Sequence, residues 1–385
     1  MSDSTVTSHR AAPTGLNAGT LWALVRKPDW VQSITQQRAE WPSEEEVGNW
    51  HIARPDAQDD AAHPSTSPFY FEWWYYDVSF GDGEALSLTF HLTDIVKPAS
   101  LSGSVTLSLF GDNRRVRHHL MPYPRDAIHA SNRYCDTRIG PNRCRQEGNG
   151  YRVEIDEPGL QLDIYFETII GGWRPGQGMF RFGDGTGYFA WLVAQPKARV
   201  SGTLTLNGFT RSIQGWGYHD HNWGTVPLLD TIDKWSWGRA YLDDFTLIYA
   251  DIWLTRRYGG HRVMPFALFD GDTGVISSFL EQNEPQNPHN DFMRAPARVN
   301  RPDGWRLAWQ GAESRLALNL HTRHVLEKSD LLGGPAWRRA IIERLIAHPY
   351  YLRCYTDAEG IWQRDDGAQF HLQGHAICEQ MHLGR

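Results

Sequence analysis

Ten consecutive residues, Gly215-Trp216-Gly217-Tyr218-His219-Asp220-His221-Asn222-Trp223-Gly224, carry two imidazoles, a carboxyl, a phenol, an amide and two indoles between glycines. A core strand has no use for so many polar groups, and a surface loop has no use for so many rings. The mixture suits a wall where an apolar ligand meets a few placed proton donors and acceptors. On a strand, His219 and His221 share a face and Asp220 points the other way. The two histidines suit hydrogen-bond relays or general acid/base groups. A metal would need a third ligand, which the neighbouring sequence does not supply. The structural alternative is that His219, Asp220 and Asn222 tie together a seam between two barrels.

Two further stretches have the same texture. In Phe69-Tyr70-Phe71-Glu72-Trp73-Trp74-Tyr75-Tyr76-Asp77, alternation puts Glu72, Trp74 and Tyr76 on one face and Trp73, Tyr75 and Asp77 on the other. Aromatics on both faces mean a strand buried twice, by core packing or with one face lining a cavity. In Leu247-Ile248-Tyr249-Ala250-Asp251-Ile252-Trp253, one face is wholly apolar, and the other sets Tyr249 and Asp251 between Leu247 and Trp253. An isolated acid in such company is costly to ionise, and a carboxyl kept neutral is a competent proton donor. If Asp243-Asp244 makes a two-residue turn, Tyr249 lies opposite Gly238 and Asp251 opposite Ser236, small neighbours that would leave room for a ligand. The structural alternative makes Asp251 a buried strut, hydrogen-bonded to Arg239 or to a backbone amide.

The elements that must position these groups are strands. From Phe69 onward, short alternating runs are separated by turn signals, as at Ser79–Glu84 and at Asn207-Gly208. Trp235–Leu242 and Phe245–Trp253 read as a hairpin, and strand-like runs continue to Glu379. Only Pro335–His348, and more weakly Leu21–Arg38, carries a helical pattern. The pattern predicts a mainly β chain: residues 1–65 as a poorly structured or helical lead-in, with Asp56–Ser67 a polar linker, then antiparallel barrels over 66–224 and 225–385. Such a barrel can hold one small ligand in its mouth.

The 385 residues are comfortable for two cores, and 41% hydrophobic with 22% charged is ordinary for a globular protein. Seventeen tryptophans against four cysteines and six methionines are not generic core filling. A net charge of −7 without a basic stripe argues against nucleic acid as a partner. The four cysteines read as free buried thiols, with no CxxC pair for zinc. Gly183–Gly187 reads as a turn, not a phosphate loop, so no nucleotide cofactor is expected. The first residues lack signal-peptide order and no run is long enough to span a membrane, so the expectation is a cytoplasmic protein whose membrane contact, if any, is transient.

Glu72-Trp73-Trp74-Tyr75, Gly217–Gly224 and Tyr249-x-Asp251, together with the C-terminal Glu379–Arg385, resemble the carotenoid 1,2-hydratase (hydroxyneurosporene synthase) family. The resemblance runs from about residue 69 to the C-terminus. It implies two lipocalin-like (calycin) β-barrels and water addition across a terminal isoprenoid double bond after protonation, with neither cofactor nor metal. The family's functional residues fall on His221, Trp223, Tyr249 and Asp251. In that reading Asp251 is the acid, Trp223 and Trp237 stabilise the cation, and Tyr249 and His221 orient acid or water. Glu72, Trp74, Tyr76, Tyr218, His219, Trp237 and Trp253 would line the site of an apolar isoprenoid or polyene. The same scaffold is similar to lipocalin-like Diels–Alderases and cyclases, in which internal capture replaces hydration. A carrier of lipid or pigment without catalysis is the third reading.

Overall fold

The computed structural model describes residues 39–40, 55–81, 83–93, 102–111, 116–175, 178–182, 187–258, 260, 262–282, 304–310, 314–330 and 350–382. The helical patterns at Leu21–Arg38 and Pro335–His348, and Gly183–Thr186 of the glycine-rich turn, lie outside them. Among the described residues the chain is almost entirely strand. The first sheet begins with β1 (Ala39–Glu40), β2 (Phe71–Gly81), β3 (Glu84–His91), β4 (Ser102–Phe110), β5 (Val116–Pro124), β6 (Ile128–Ala130) and β7 (Asp136–Ile139). It continues with β8 (Asn142–Glu147), β9 (Gly150–Glu157), β10 (Leu160–Ile170), β11 (Met179–Phe182), β12 (Gly187–Leu206) and β13 (Phe209–Gly224). After the one-turn helix α1 (Leu228–Thr231) come β14 (Ile232–Leu242), β15 (Phe245–Leu254), β16 (Arg262–Asp270) and β17 (Thr273–Gln282). The last four are β18 (Gly304–Gln310), β19 (Ser314–Asp330), β20 (Tyr350–Arg364) and β21 (Gln369–His382).

Apart from β1, which pairs β11, both sheets follow one plan, an antiparallel meander whose first and last strands pair. In the first, β2 pairs β13, and the order β5-β4-β3-β2-β13-β12-β10-β9-β8-β7-β6 makes a nearly closed barrel. In the second, β14 pairs β21 in the order β17-β16-β15-β14-β21-β20-β19-β18, a half-barrel. The fold is therefore mainly β, as the alternating pattern predicts, and lipocalin-like, as the family resemblance implies. Local chemistry sets the hairpins. Asn207 (φ 51°) and Gly208 (φ 83°) take the left-handed conformations that a two-residue turn between β12 and β13 requires. Asp243 (φ 49°) does the same between β14 and β15, so Leu242 pairs Phe245 and the expected register follows, Tyr249 opposite Gly238 and Asp251 opposite Ser236.

The apolar residues form three layers. One core fills the first barrel, around Trp74, Tyr76, Leu88, Val153 and Phe166. Another fills the second sheet, around Leu247, Tyr249, Phe266, Leu318 and Leu372. Between them lies a third, built from the outward faces of β2, β12 and β13 against those of β14 and β15. Strands buried on two faces are needed for that middle layer, which is why β2 reads as buried twice and β15 has one wholly apolar face. β13 shows the change along its length: its first half is mostly exposed, and every residue from Gly217 to Gly224 is buried. Across the middle layer, Arg239 Nε donates to Asp77 Oδ1 at 2.7 Å, and Tyr241 Oη donates to the Gly217 carbonyl at 2.6 Å. All four cysteines are free and buried. No helix among the described residues is long and apolar enough to cross a membrane.

Candidate functional site

The register of β13 divides its polar groups between two places. His219, His221 and Trp223 point into the first barrel with Glu72, Trp74 and Tyr76 of β2. Tyr218, Asp220 and Asn222 point into the middle layer with Trp73, Tyr75 and Asp77.

Inside the barrel the imidazoles meet two carboxyls. His221 Nε2 lies 2.9 Å from Glu72 Oε1, and His221 Nδ1 lies 3.2 Å from Asp60 Oδ1. His219 Nε2 lies 3.2 Å from Asp60 Oδ2, and His219 Nδ1 lies 2.9 Å from the Tyr75 carbonyl. The rings are stacked: Tyr76 on His219 at 4.0 Å, Trp74 on His221 at 4.2 Å, and His63 on Trp223 at 4.0 Å. Burial works against the His219 imidazolium, but the Asp60 charge and hydrogen bond outweigh it and lift the ring to about 9. Burial raises Glu72, yet hydrogen bonds from His221 and His63 hold it at about 2. Asp60 is likewise held below its ordinary range, the two imidazoles prevailing over burial. The result is a buried chain of alternating charge.

Two sets of side chains there have metal-ligand types, Asp60 with Cys135 and His219, and His63 with Glu72 and His221. The Glu72 oxygens are already engaged, however. Oε1 accepts from His221 and from the His63 amide at 2.8 Å, and Oε2 accepts from the Tyr70 hydroxyl. The arrangement is that of a hydrogen-bonded ion network.

The middle layer contains a cavity of about 120 Å³. Its walls are aromatic and aliphatic: Trp73, Tyr75, Phe189 and Trp191 from the first sheet, and Trp235, Trp237, Ala250 and Ile252 from the second. Two carboxyls reach it, Asp220 and Glu379, with the Asn222 amide beside Asp220. Three neutral groups hold Asp220: Tyr218 Oη donates at 2.8 Å, Trp191 Nε1 at 3.1 Å and Asn222 Nδ2 at 2.8 Å. Burial pushes the Asp220 carboxyl up to about 7 and the Glu379 charge adds to the rise, while the Tyr218 and Trp191 hydrogen bonds and His219 pull it down. A buried acid poised there, facing indoles, can give a proton to an apolar ligand and face the cation that results.

On β15 the alternation is as expected, but its consequences differ. The room beside Gly238 is filled by Tyr249 itself: a Cβ at Gly238 would sit 2.6 Å from the Tyr249 Cζ. Asp251, expected to stand isolated, is held two-handed by Arg262 of β16, Nε to Oδ1 at 2.8 Å and Nη2 to Oδ2 at 3.1 Å. Burial raises the Asp251 carboxyl and Arg262 opposes the rise. Trp253 has Lys234 Nζ 4.3 Å and Arg262 Cζ 4.9 Å from its ring centre.

The four residues assigned catalysis from sequence are therefore not brought together. His221 and Trp223 face the interior of the first barrel, and Tyr249 belongs to the core of the second. Of the sequence-derived site residues, Trp237 lines the cavity, and Tyr218 supports Asp220 from behind. Glu72, Trp74, Tyr76 and His219 lie in the barrel network. Sequence reasoning missed Asp60 and His63, which lay in a stretch read as a linker, and it missed the second carboxyl, Glu379. Asp220 carried a signal: it is the acid of the densest polar motif and has opposite parity to both histidines.

A carotenoid hydratase CrtC family model matches residues 104–343. The chain belongs to the carotenoid hydratase CrtC family. Among curated proteins it is 26% identical over 270 residues to a hydroxyneurosporene dehydrogenase of Chlorobaculum tepidum, covering 58% of this chain and 67% of that protein. Among solved structures it is similar in fold to CghA with Sch210972 (TM-score 0.62, 11% identity, 90% of this chain and 99% of that one). It is also similar to kievitone hydratase from Nectria haematococca (TM-score 0.52, 15% identity, 86% and 94%).

Proposed function

We propose that this family member is an enzyme that starts cationic chemistry on an apolar isoprenoid or polyene in the cavity between the sheets, with Asp220 as proton donor. The leading reaction is addition of water to a carbon–carbon double bond. Cyclisation follows when an internal double bond reaches the cation first. The observation that carries this reading is the Asp220 carboxyl itself, raised to about 7 and open to a cavity walled by four indoles. A neutral acid in a dry, aromatic site is what protonating an alkene requires. The cavity suits the reacting end of a long substrate rather than its whole length.

The residues singled out by the family resemblance then act from behind the walls. His221 and Trp223 flank Asn222, and Tyr249 and Asp251 flank Ala250, so each alternates with a residue that lines the cavity. They hold the strands, and the chemistry passes through Asp220. Wild type, Asp220→Asn and Asp251→Asn would each be incubated in deuterated water with acyclic carotenoids and shorter polyprenyl compounds. Products are then read by mass spectrometry. The expected result is carbon-bound deuterium with a gain of one water in the wild type and in Asp251→Asn, lost about 100-fold or more in Asp220→Asn. Deuterium without added water identifies the cyclase. Loss in Asp251→Asn with retention in Asp220→Asn would move the acid to the second sheet and overturn the assignment.

A further inference from the structure

The cavity holds a second carboxyl whose surroundings are the opposite of those of Asp220. Glu379 on β21 lies directly across from Trp237 of β14 and from Arg353 of β20, so one row of the sheet runs Arg353–Glu379–Trp237–Ala250. Its Oε2 is fully engaged, accepting from Tyr351 Oη at 2.7 Å and from Arg353 Nη2 at 3.1 Å. Its Oε1 accepts one long bond, 3.4 Å, from Trp235 Nε1. One oxygen is therefore anchored and the other keeps lone-pair capacity where the side chain borders the cavity. Arg353, itself buried, supplies a positive partner. Asp220 is hydrogen-bonded by a phenol, an indole and an amide, all neutral. Two carboxyls in one site, one set among neutral donors and one beside a guanidinium, divide into an acid and a base.

Resting on the reading of Asp220 as donor, we infer that Glu379 is the catalytic base of the same cavity, accepting through Oε1 the proton released when the cation is quenched. In the first step the Asp220 O–H bond breaks as the alkene π pair forms a C–H bond, leaving a tertiary cation and an Asp220 carboxylate. In the second, a water oxygen bonds to the cation as one of its O–H bonds breaks, and that proton goes to Glu379. The product is an alcohol, and moving the proton from Glu379 back to Asp220 through solvent restores the site. Where no water enters, Glu379 takes a proton from a carbon next to the cation, and an isomeric or cyclised alkene leaves. The Glu379 charge bears on Asp220 directly, adding to the rise of the acid.

The test uses full-length Glu379→Gln, whose single oxygen can still accept from Tyr351 and Arg353 while its amide nitrogen takes the place of Oε1, beside Asp220→Asn. Lycopene in detergent micelles in deuterated water is the probe, and both recovered alkene and product are read by mass spectrometry. Glu379→Gln is expected to lower product formation about 100-fold while deuterium still washes into the terminal methyls of recovered lycopene. The Asp220 carboxylate can remove a methyl hydrogen from the cation instead of the deuteron it gave, and readdition of deuterium there followed by loss from the chain carbon returns labelled alkene. Product within threefold of wild type, or loss of deuterium wash-in together with product, would overturn the inference. Product and wash-in surviving in Asp220→Asn would instead sink the underlying reading, so the two failures are distinct. Carboxyl carbon-13 NMR gives a readout that needs no substrate. Removing the Glu379 charge should lower the Asp220 midpoint, and an unmoved midpoint overturns the shared site.

Discussion

Substituting Asp220 by asparagine should change stability with opposite sign at low and high pH. The folded state holds the proton on Asp220 to about 7, against 3.8 for an ordinary aspartate. An acid with a raised folded value stabilises the folded state fully below the unfolded value, and that contribution is lost as pH rises through the folded one. The span corresponds to about 4 kcal/mol, of which about 3 kcal/mol falls between pH 5 and pH 8. Asparagine cannot ionise, so it escapes that loss. It can still accept from Asn222 at one oxygen, but its amide group meets the Trp191 N–H donor, a mismatch costing about 1–2 kcal/mol at every pH. Urea unfolding of both proteins at pH 5 and pH 8 should show the variant near or below wild type at pH 5 and more stable by about 2 kcal/mol at pH 8. A stability difference that is the same at both pH values would refute a raised Asp220. The activity of the wild type should fall over the same range as the acid loses its proton.

Other consequences follow from the same geometry. Removing one partner of the fully buried Asp77–Arg239 pair, as in Asp77→Asn, should cost about 3–5 kcal/mol in denaturant unfolding. The double variant Asp77→Leu with Arg239→Met should recover much of that loss, and additive losses would argue against direct coupling. Gly238→Ala should destabilise by about 1–3 kcal/mol, because the new methyl meets the Tyr249 ring; a neutral effect would place that ring elsewhere. In imidazole NMR, His219 should titrate near 9 in the wild type and well below that in Asp60→Asn, where burial is no longer opposed by the carboxylate. Because its folded value is raised, the His219 contribution to stability is complete below 6.5 and lost as pH rises through about 9. Trp253→Ala should leave product formation within about twofold if, as its two covering cations imply, substrate does not contact it.

The sequence by itself determined the strands, their turns and the parity of their side chains. Asn207-Gly208 and Asp243-Asp244 fixed two hairpins, and with the second came the pairing of Tyr249 with Gly238 and of Asp251 with Ser236. That His219 and His221 share one face and Asp220 the other follows from the two-residue repeat of a strand. A repeat of two assigns each side chain to a face, but it does not say what that face meets. On β2, β13 and β15 both faces are aromatic or apolar and both are buried, so nothing local distinguishes the side packed inside a barrel from the side that borders a cavity. Partners distant in sequence decided the rest. Asp60, from a stretch read as linker, enters the barrel and binds both histidines 159 and 161 residues later, as the separations Asp60–His219 and Asp60–His221 show. Arg262 crosses from β16 to take the acid expected to be isolated, and Glu379 is carried to the cavity by the pairing of β21 with β14. Burial and charge pairing set whether a carboxyl holds its proton, and both are made by contacts that only the assembled sheets bring about.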